Sequence, residues 1–212
     1  MKITIFGATG KTGQLVVQYA LAAGHEVTAY VRNPEKLGEP RPRLTIVEDS
    51  LQNSEAIERA VAGQNAVISL LGPTGKTSGM PVSDGMKLIV TAMQKQGVSR
   101  LIATATPSAA DPADRFSLSF RLAALMVQAL AGTAYQDIVR TAEIIRSSPL
   151  LWTLVRLPML SDKVSPKTVA AGYIGDPCVK LFSLSRQALA QFLLAQLTDE
   201  TWIRKAPAVS NG

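Results

Sequence analysis

The sequence predicts an α/β fold built on a doubly wound parallel sheet, and three observations carry that reading. Short apolar runs rich in β-branched residues alternate with longer stretches of helical periodicity through roughly the first three quarters of the chain. Three glycines at three-residue spacing, Gly7, Gly10 and Gly13, stand between the first strand and the first helix. Gly24, Gly63 and Gly97 stand where three of the helical patterns stop. Strands that alternate with helices are parallel and buried on both faces, and their crossovers are right-handed. Six such strands most economically take the order 3-2-1-4-5-6, which places ligands at the carboxyl ends of the strands.

In chain order, strands are predicted over residues 2–6, 26–31, 44–47, 66–70, 100–105 and 152–156. Helices are predicted over 12–23, 54–62, 82–96 and 137–147. Residues 116–131 form the most apolar long stretch, but Ser117, Ser119, Arg121 and Gln128 interrupt it, so it reads as a helix of a folded domain and not as a bilayer span. It is also the candidate interface if the protein is a homodimer and not a monomer. After Arg156 the pattern weakens over 157–177, then resumes as a helix over 185–197 and a final strand over 202–209. The expectation is a single domain over 1–212, with 157–212 as a C-terminal extension forming the substrate-side walls, a placement that rests on fold analogy.

Composition narrows the function classes. With 47% hydrophobic and 18% charged residues the chain is too apolar to be disordered. A single cysteine, Cys178, cannot form an internal disulfide, and a strand starting at residue 2 leaves no room for a signal peptide, so a cytoplasmic setting is expected. The net charge of +6 raises the question of nucleic acid. Only Arg32, Lys36, Arg41 and Arg43 cluster, however, and no aromatics interleave with them, which suits a small phosphorylated ligand better. One histidine and one cysteine provide no metal-ligand set, and the absence of a G-x-S-x-G elbow leaves a Ser-His-Asp hydrolase without support.

The glycine turn, Gly7-Ala-Thr-Gly10-Lys-Thr-Gly13, is the most informative motif. Gly7 allows a tight turn off the strand, Gly10 lets backbone approach a pyrophosphate, and Gly13 is expected to let the helix pack against the sheet. The helix N-terminus adds oriented N–H donors, with Thr9, Lys11 and Thr12 as further donors. This is the fingerprint of a Rossmann-type dinucleotide site. The second strand then runs into Arg32-Asn-Pro-Glu-Lys36, with a guanidinium where NAD-preferring sites keep a carboxylate on the ribose, so NADP(H) is the expected cofactor. The alternative is that Arg32 and Lys36 merely solvate a sheet edge and a turn.

With that turn, Val31-Arg32, Glu48-Asp-Ser-Leu51, Val61-Ala-Gly-Gln-Asn-Ala-Val67, Leu70-Leu-Gly72, Ser83-Asp-Gly85, Gly97-Val98 and Arg156-Leu-Pro158, the chain resembles the atypical, NmrA-like short-chain dehydrogenase/reductases, and within them the biliverdin-IXβ reductase/flavin reductase group. The resemblance implies that Gly7, Thr9, Gly10, Lys11, Thr12 and Gly13 hold the pyrophosphate and Arg32 and Lys36 the 2′-phosphate. It also implies Asp49 and Ser50 along the adenine, Leu71 and Gly72 along its ribose, and Thr104, Thr106 and Pro158 toward the nicotinamide. A turn-initiating carboxylate is the alternative for Asp49, strand capping for Thr104 and Thr106, and a strand terminator for Pro158. The histidines that flavin-reductase relatives keep near the substrate have no counterpart at the apolar positions near Ile138 and Met159. The single His25 lies before the second strand, far from any hydride-transfer position.

Ordinary short-chain dehydrogenases pair a tyrosine with a lysine four residues later, which lowers the phenol's pKa for proton exchange. Here Tyr19, Tyr30, Tyr135 and Tyr173 are followed at that spacing by Ala23, Pro34, Val139 and Pro177. The expectation is therefore an NADPH-dependent reductase that positions a small conjugated acceptor, a flavin or quinone, with solvent supplying the proton. Thr106 and Tyr135 are the candidate catalytic residues, Ser108 a weaker one, and residues 107–121 a candidate mobile lid; Tyr135 is alternatively a packed aromatic. A non-catalytic NADP(H) sensor and an atypical ketoreductase or epimerase remain open.

Overall fold

A computed structural model describes residues 1–39, 41–73, 79–115, 118–164, 168–180 and 183–212, with backbone only over 118–131. Its elements are β1 (Lys2–Phe6), α1 (Lys11–Ala22), β2 (Glu26–Val31), a 3-10 turn (Pro34–Leu37), β3 (Leu44–Glu48), α2 (Ser54–Val61), β4 (Ala66–Ser69), α3 (Pro81–Lys95) and β5 (Arg100–Ala105). There follow α4 (Leu118–Ser147), β6 (Leu151–Arg156), β7 (Leu160–Ser161), β8 (Val169–Gly172), β9 (Leu184–Ser185), α5 (Arg186–Ala195) and β10 (Ala208–Asn211).

The main sheet has the order β3-β2-β1-β4-β5-β6-β10-β8. Its first six strands are parallel and take the 3-2-1-4-5-6 arrangement expected of a Rossmann-type fold. The C-terminal extension lengthens the sheet, since β10 joins β6 in parallel and β8 runs antiparallel to β10, while β7 and β9 make a separate two-residue pairing.

The alternation of β1 assigns its two faces. Ile3 and Ile5 lie under α1 and α5 with Val16, Val17, Leu189 and Leu193, whereas Phe6 enters the opposite layer with Ile57, Met86, Ile89 and Met93 from α2 and α3. All of these side chains are buried, and each contributes about 1.5–3 kcal/mol by leaving water. Both faces of the sheet are thus covered, which is why the central strands read as apolar runs.

The ends of the predicted elements move by a residue or two, except at two places. The helices expected over 116–131 and 137–147 are two helices that meet at a non-helical break at Gly132 (φ 39°, ψ −109°) within α4, so the second starts earlier than expected. Residues 116 and 117, and the side chains of 118–131, lie outside the described residues, and with them the apolar interface suggested for that stretch. The final strand is not 202–209 but Ala208–Asn211. Residues 201–204 form a turn instead, with Arg204 at φ 54° donating its N–H to the Trp152 carbonyl.

Several cations are committed to carbonyls at the ends of elements. Arg43 donates to the Leu21 and Gly24 carbonyls at the end of α1, Arg41 to Leu37, and buried Arg100 to Gln196 just past α5. Cations there complement the negative end of the helix dipole. Of the clustered Arg32, Lys36, Arg41 and Arg43, two are therefore structural.

Candidate functional site

The turn after β1 is shaped by its glycines. Gly7 has φ +80°, and a Cβ there would lie 2.9 Å from the Leu70 carbonyl oxygen. A Cβ at Gly13 would lie 2.2 Å from the Gly7 carbonyl oxygen and 2.8 Å from the Ala8 Cα. Gly13 thus lets the start of α1 press against the turn that leaves β1. The loop closes through Gly10 N–H donating to the Gly7 carbonyl (3.1 Å) and Gln14 N–H to the Gly10 carbonyl (2.9 Å).

At this edge of the sheet the N-termini of α2 and α3 are filled by side chains, whereas those of α1 and α5 have no side-chain cap. Asn53 Oδ1 accepts from Ala56 N–H at the start of α2. Asp137, buried on α4, accepts from Val82 N–H (3.1 Å) and Ser83 N–H (2.7 Å) at the start of α3. At α1 the capping position is Gly10, which has no side chain to offer. The orphan donors and positive dipole end of α1 therefore face outward, the arrangement that binds a diphosphate.

A cleft of about 300 Å³ opens from this turn along the carboxyl ends of β1, β2 and β4. It brings together Gly7, Thr9, Gly10, Arg32, Lys36, Asp49, Leu71 and Gly72 from the sequence reading. Tyr30, Val31, Leu51, Leu70, Pro73, Pro81 and Val82 complete the wall and were not foreseen. Arg32 and Lys36 are exposed and form no ion pair or side-chain hydrogen bond with any described residue. Lys36 is carried on the 3-10 turn that Asn33 caps through Glu35 N–H (2.9 Å).

The carboxylate of Asp49 accepts from Ser50 N–H (2.7 Å) and Asn53 Nδ2 (2.8 Å), so it organises the turn into α2 while also lining the cleft. Ser50 is exposed beside it, and its carbonyl accepts the Tyr30 hydroxyl at 2.6 Å. Burial, reinforced by the nearby Asp49 charge, pushes the Tyr30 phenol up to about 12. Tyr30 is thereby a fixed hydrogen-bond donor in the wall and not a proton-exchanging group.

The other candidates lie outside this cleft. Lys11 is exposed, and its Nζ pairs with Asp162 Oδ2 at 3.0 Å, with Arg186 on the other carboxylate oxygen at 2.6 Å. Hydrogen bonding to Lys11, with the Arg186 charge alongside, holds Asp162 below the usual carboxylate range. Thr12 and Gly13 are buried in the first turn of α1. Thr104 Oγ1 reaches the Ser69 carbonyl at 3.4 Å, exposed Thr106 accepts Ala109 N–H on its carbonyl, and Pro158 follows β6 half-buried. Thr106 and Pro158 share an edge, because Ala105 pairs with Arg156 in register and accepts Leu157 N–H at 2.8 Å. Tyr135 is half-buried on α4, two residues before Asp137; Ser108 is half-buried, and His25 lies at the opposite, amino-terminal edge of β2.

The described part of the suggested lid is anchored. Asp111 pairs with Arg146 at 3.2 Å, Asp114 with Arg156, and Arg115 with Asp176 at 3.4 Å. These links could not be read locally, because each joins positions far apart in the sequence. Among the described residues, no group of three potential ligands could hold a metal ion, and no helix is long and apolar enough to cross a membrane.

A family model described as NAD(P)H-binding matches residues 7–200. A 3-beta-hydroxysteroid dehydrogenase of Mycolicibacterium neoaurum is 33% identical over 119 residues, 50% of this chain, and the match spans only 32% of that relative's length. Among solved structures, a short-chain dehydrogenase/reductase of Veillonella parvula in complex with NADP superposes with a TM-score of 0.80, at 23% identity over 99% of this chain and 94% of that one. An anaerobillin reductase from Escherichia coli O157:H7 gives a TM-score of 0.78, at 16% identity over 100% of this chain and 97% of that one. At these identities the two structures speak for the fold.

Proposed function

The chain belongs to the NAD(P)H-binding family, and from that premise we propose that it is an NADPH-dependent reductase acting on a flavin, quinone or similarly conjugated small molecule. The observation that carries the cofactor choice is the pairing of Arg32 and Lys36 with the open N-terminus of α1 around one cleft. The residues fit the group: Gly7 and Gly13 let the turn close against Leu70 and α1 start hard against it, Gly10 leaves that helix start uncapped, and two cations without described partners line the same cleft, suited to neutralising an extra phosphate ester.

In this reading Gly7, Thr9, Gly10, Thr12 and Gly13 form the diphosphate cradle, with Lys11 near its rim. Arg32 and Lys36 take the 2′-phosphate, and Tyr30, Asp49, Ser50 and Leu51 shape the adenine end. Leu71 and Gly72 lie along its ribose. NADPH, when bound, supplies the hydride. Thr104, Thr106, Pro158 and Tyr135 orient the reacting ends, and the extension from residue 157 onward walls the acceptor. Water provides the proton, since an electron-poor conjugated ring needs no buried acid. A reducing, cytoplasmic setting suits a chain whose one cysteine, Cys178, is exposed and free.

The half-chain similarity to a hydroxysteroid dehydrogenase favours a second reading, reduction of a small ketone. Loss of nicotinamide absorbance on adding FMN, riboflavin, a small quinone and a ketosteroid in turn to protein and NADPH separates the two. Turnover with the conjugated acceptors supports the proposal, and turnover with the ketone alone transfers it to the second reading. Tight NADPH binding with no turnover at all would mean a sensor of the nucleotide.

A further inference from the structure

Among the described residues Arg156 is the largest fully buried side chain, and it is charged. Its guanidinium holds Asp114 in a two-pronged grip, Nη1 to Oδ2 at 2.5 Å and Nη2 to Oδ1 at 2.6 Å, while Nε donates to the Ala206 carbonyl at 2.8 Å. The same carboxylate accepts Asp111 N–H (2.8 Å) and Ile174 N–H (3.0 Å). One ion pair thus joins the loop after β5, the turn after β8, the end of β6 and the approach to β10. Arg115 N–H donating to the Ile174 carbonyl (2.8 Å) interlocks the first two again.

A buried ion pair is weak evidence for stability, because a well-packed apolar pair would do as well. Its distinctive property is direction: a planar fork on a carboxylate fixes the orientation of both chains that carry it. The pair sits close to two positions of interest, since Arg156 lies two residues before Pro158 and opposite Ala105, the residue before Thr106.

We propose that Arg156 and Asp114 are a positioning pair that locks the acceptor-side wall, acting through Thr106 and Pro158; this rests on the reductase reading. The pair touches neither cofactor nor acceptor. It sets where the loop after β5 and the turn after β8 stand relative to the end of β6, and so the shape of the space an acceptor enters.

The test uses Asp114→Asn, which turns one acceptor oxygen into a donor facing the guanidinium, and Arg156→Lys, which keeps the charge but loses the fork and carries the test if the first variant does not fold. Hydrogen exchange of the full chain, NADPH titration and steady-state reduction of FMN are the readouts. The pair as a positioning device predicts that amides of 107–115 and 173–176 accelerate together at least tenfold, that the KM for FMN rises about tenfold, and that the NADPH Kd stays within twofold. A merely structural pair would lower kcat with the folded fraction and leave the KM for FMN unchanged, which overturns the proposal; so does acceleration confined to one of the two segments. If the wild type reduces no acceptor, the reductase reading fails separately, and the exchange result alone decides whether the pair couples the two segments.

Discussion

The guanidinium of Arg32 stands exposed at the end of β2 with no described partner, beside a helix start that no side chain caps. A charge-assisted hydrogen bond is worth about 1.5–3 kcal/mol, so Arg32→Ala is expected to weaken NADPH binding by roughly 10- to 150-fold and to leave NADH binding nearly unchanged, as measured by titration of each nucleotide. Equal losses for both would remove the 2′-phosphate role. Gly13→Ala forces a methyl against the Gly7 carbonyl and should cost about 1–3 kcal/mol of stability and abolish nucleotide binding, both visible in a thermal melt with and without NADPH. These residues were legible because a tight turn and a strand end are local features. Tyr30 was not, since nothing in its neighbours reveals that its hydroxyl reaches the Ser50 carbonyl or that it walls the cleft.

At the scale of elements, side chains close the starts of α2 and α3 and leave that of α1 uncapped in the cleft. Asp137 plugs the N-terminus of α3 from α4, and its removal leaves two N–H groups without a partner. Asp137→Ala is therefore expected to cost roughly 1–3 kcal/mol, read as a lower melting temperature, while NADPH affinity is retained. An unchanged melting temperature would contradict the capping role. Periodicity found the six parallel strands and their crossover helices, because strands covered on both faces and helices with one apolar stripe leave strong patterns. Past residue 156 it found α5 but missed β7, β8 and β9 and misplaced the last strand. The apolar Trp202-Ile203 and Ala206-Pro-Ala-Val209 read as one strand, but the chain turns at Arg204 to return its N–H to β6. The pairing of Asp114 with Arg156, like that of Lys11 with Asp162, joins residues too far apart for any local pattern to signal.

For the molecule as a whole, the C-terminal extension is part of the sheet, through β10 and β8, and is tied back by Asp114 and Asp162. Burial pushes the Asp114 carboxyl up, but the hydrogen bonds from Arg156, Asp111 and Ile174, with the Arg156 charge, outweigh it and leave the group below its usual range. A depressed carboxylate stabilises the folded state fully above its unfolded value of about 3.9, and that contribution is lost as pH falls through the lower folded value. Acid unfolding should therefore begin below about pH 4, and Asp114→Asn should flatten the pH dependence of stability in that window. An identical acid profile in the variant would show that the pair carries none of it. The most direct measurement of the central claim is calorimetric titration of the protein with NADPH and with NADH. NADPH should bind at least about tenfold more tightly, the difference expected from one charge-assisted contact to its extra phosphate; no heat with either nucleotide, or tighter binding of NADH, would contradict the account.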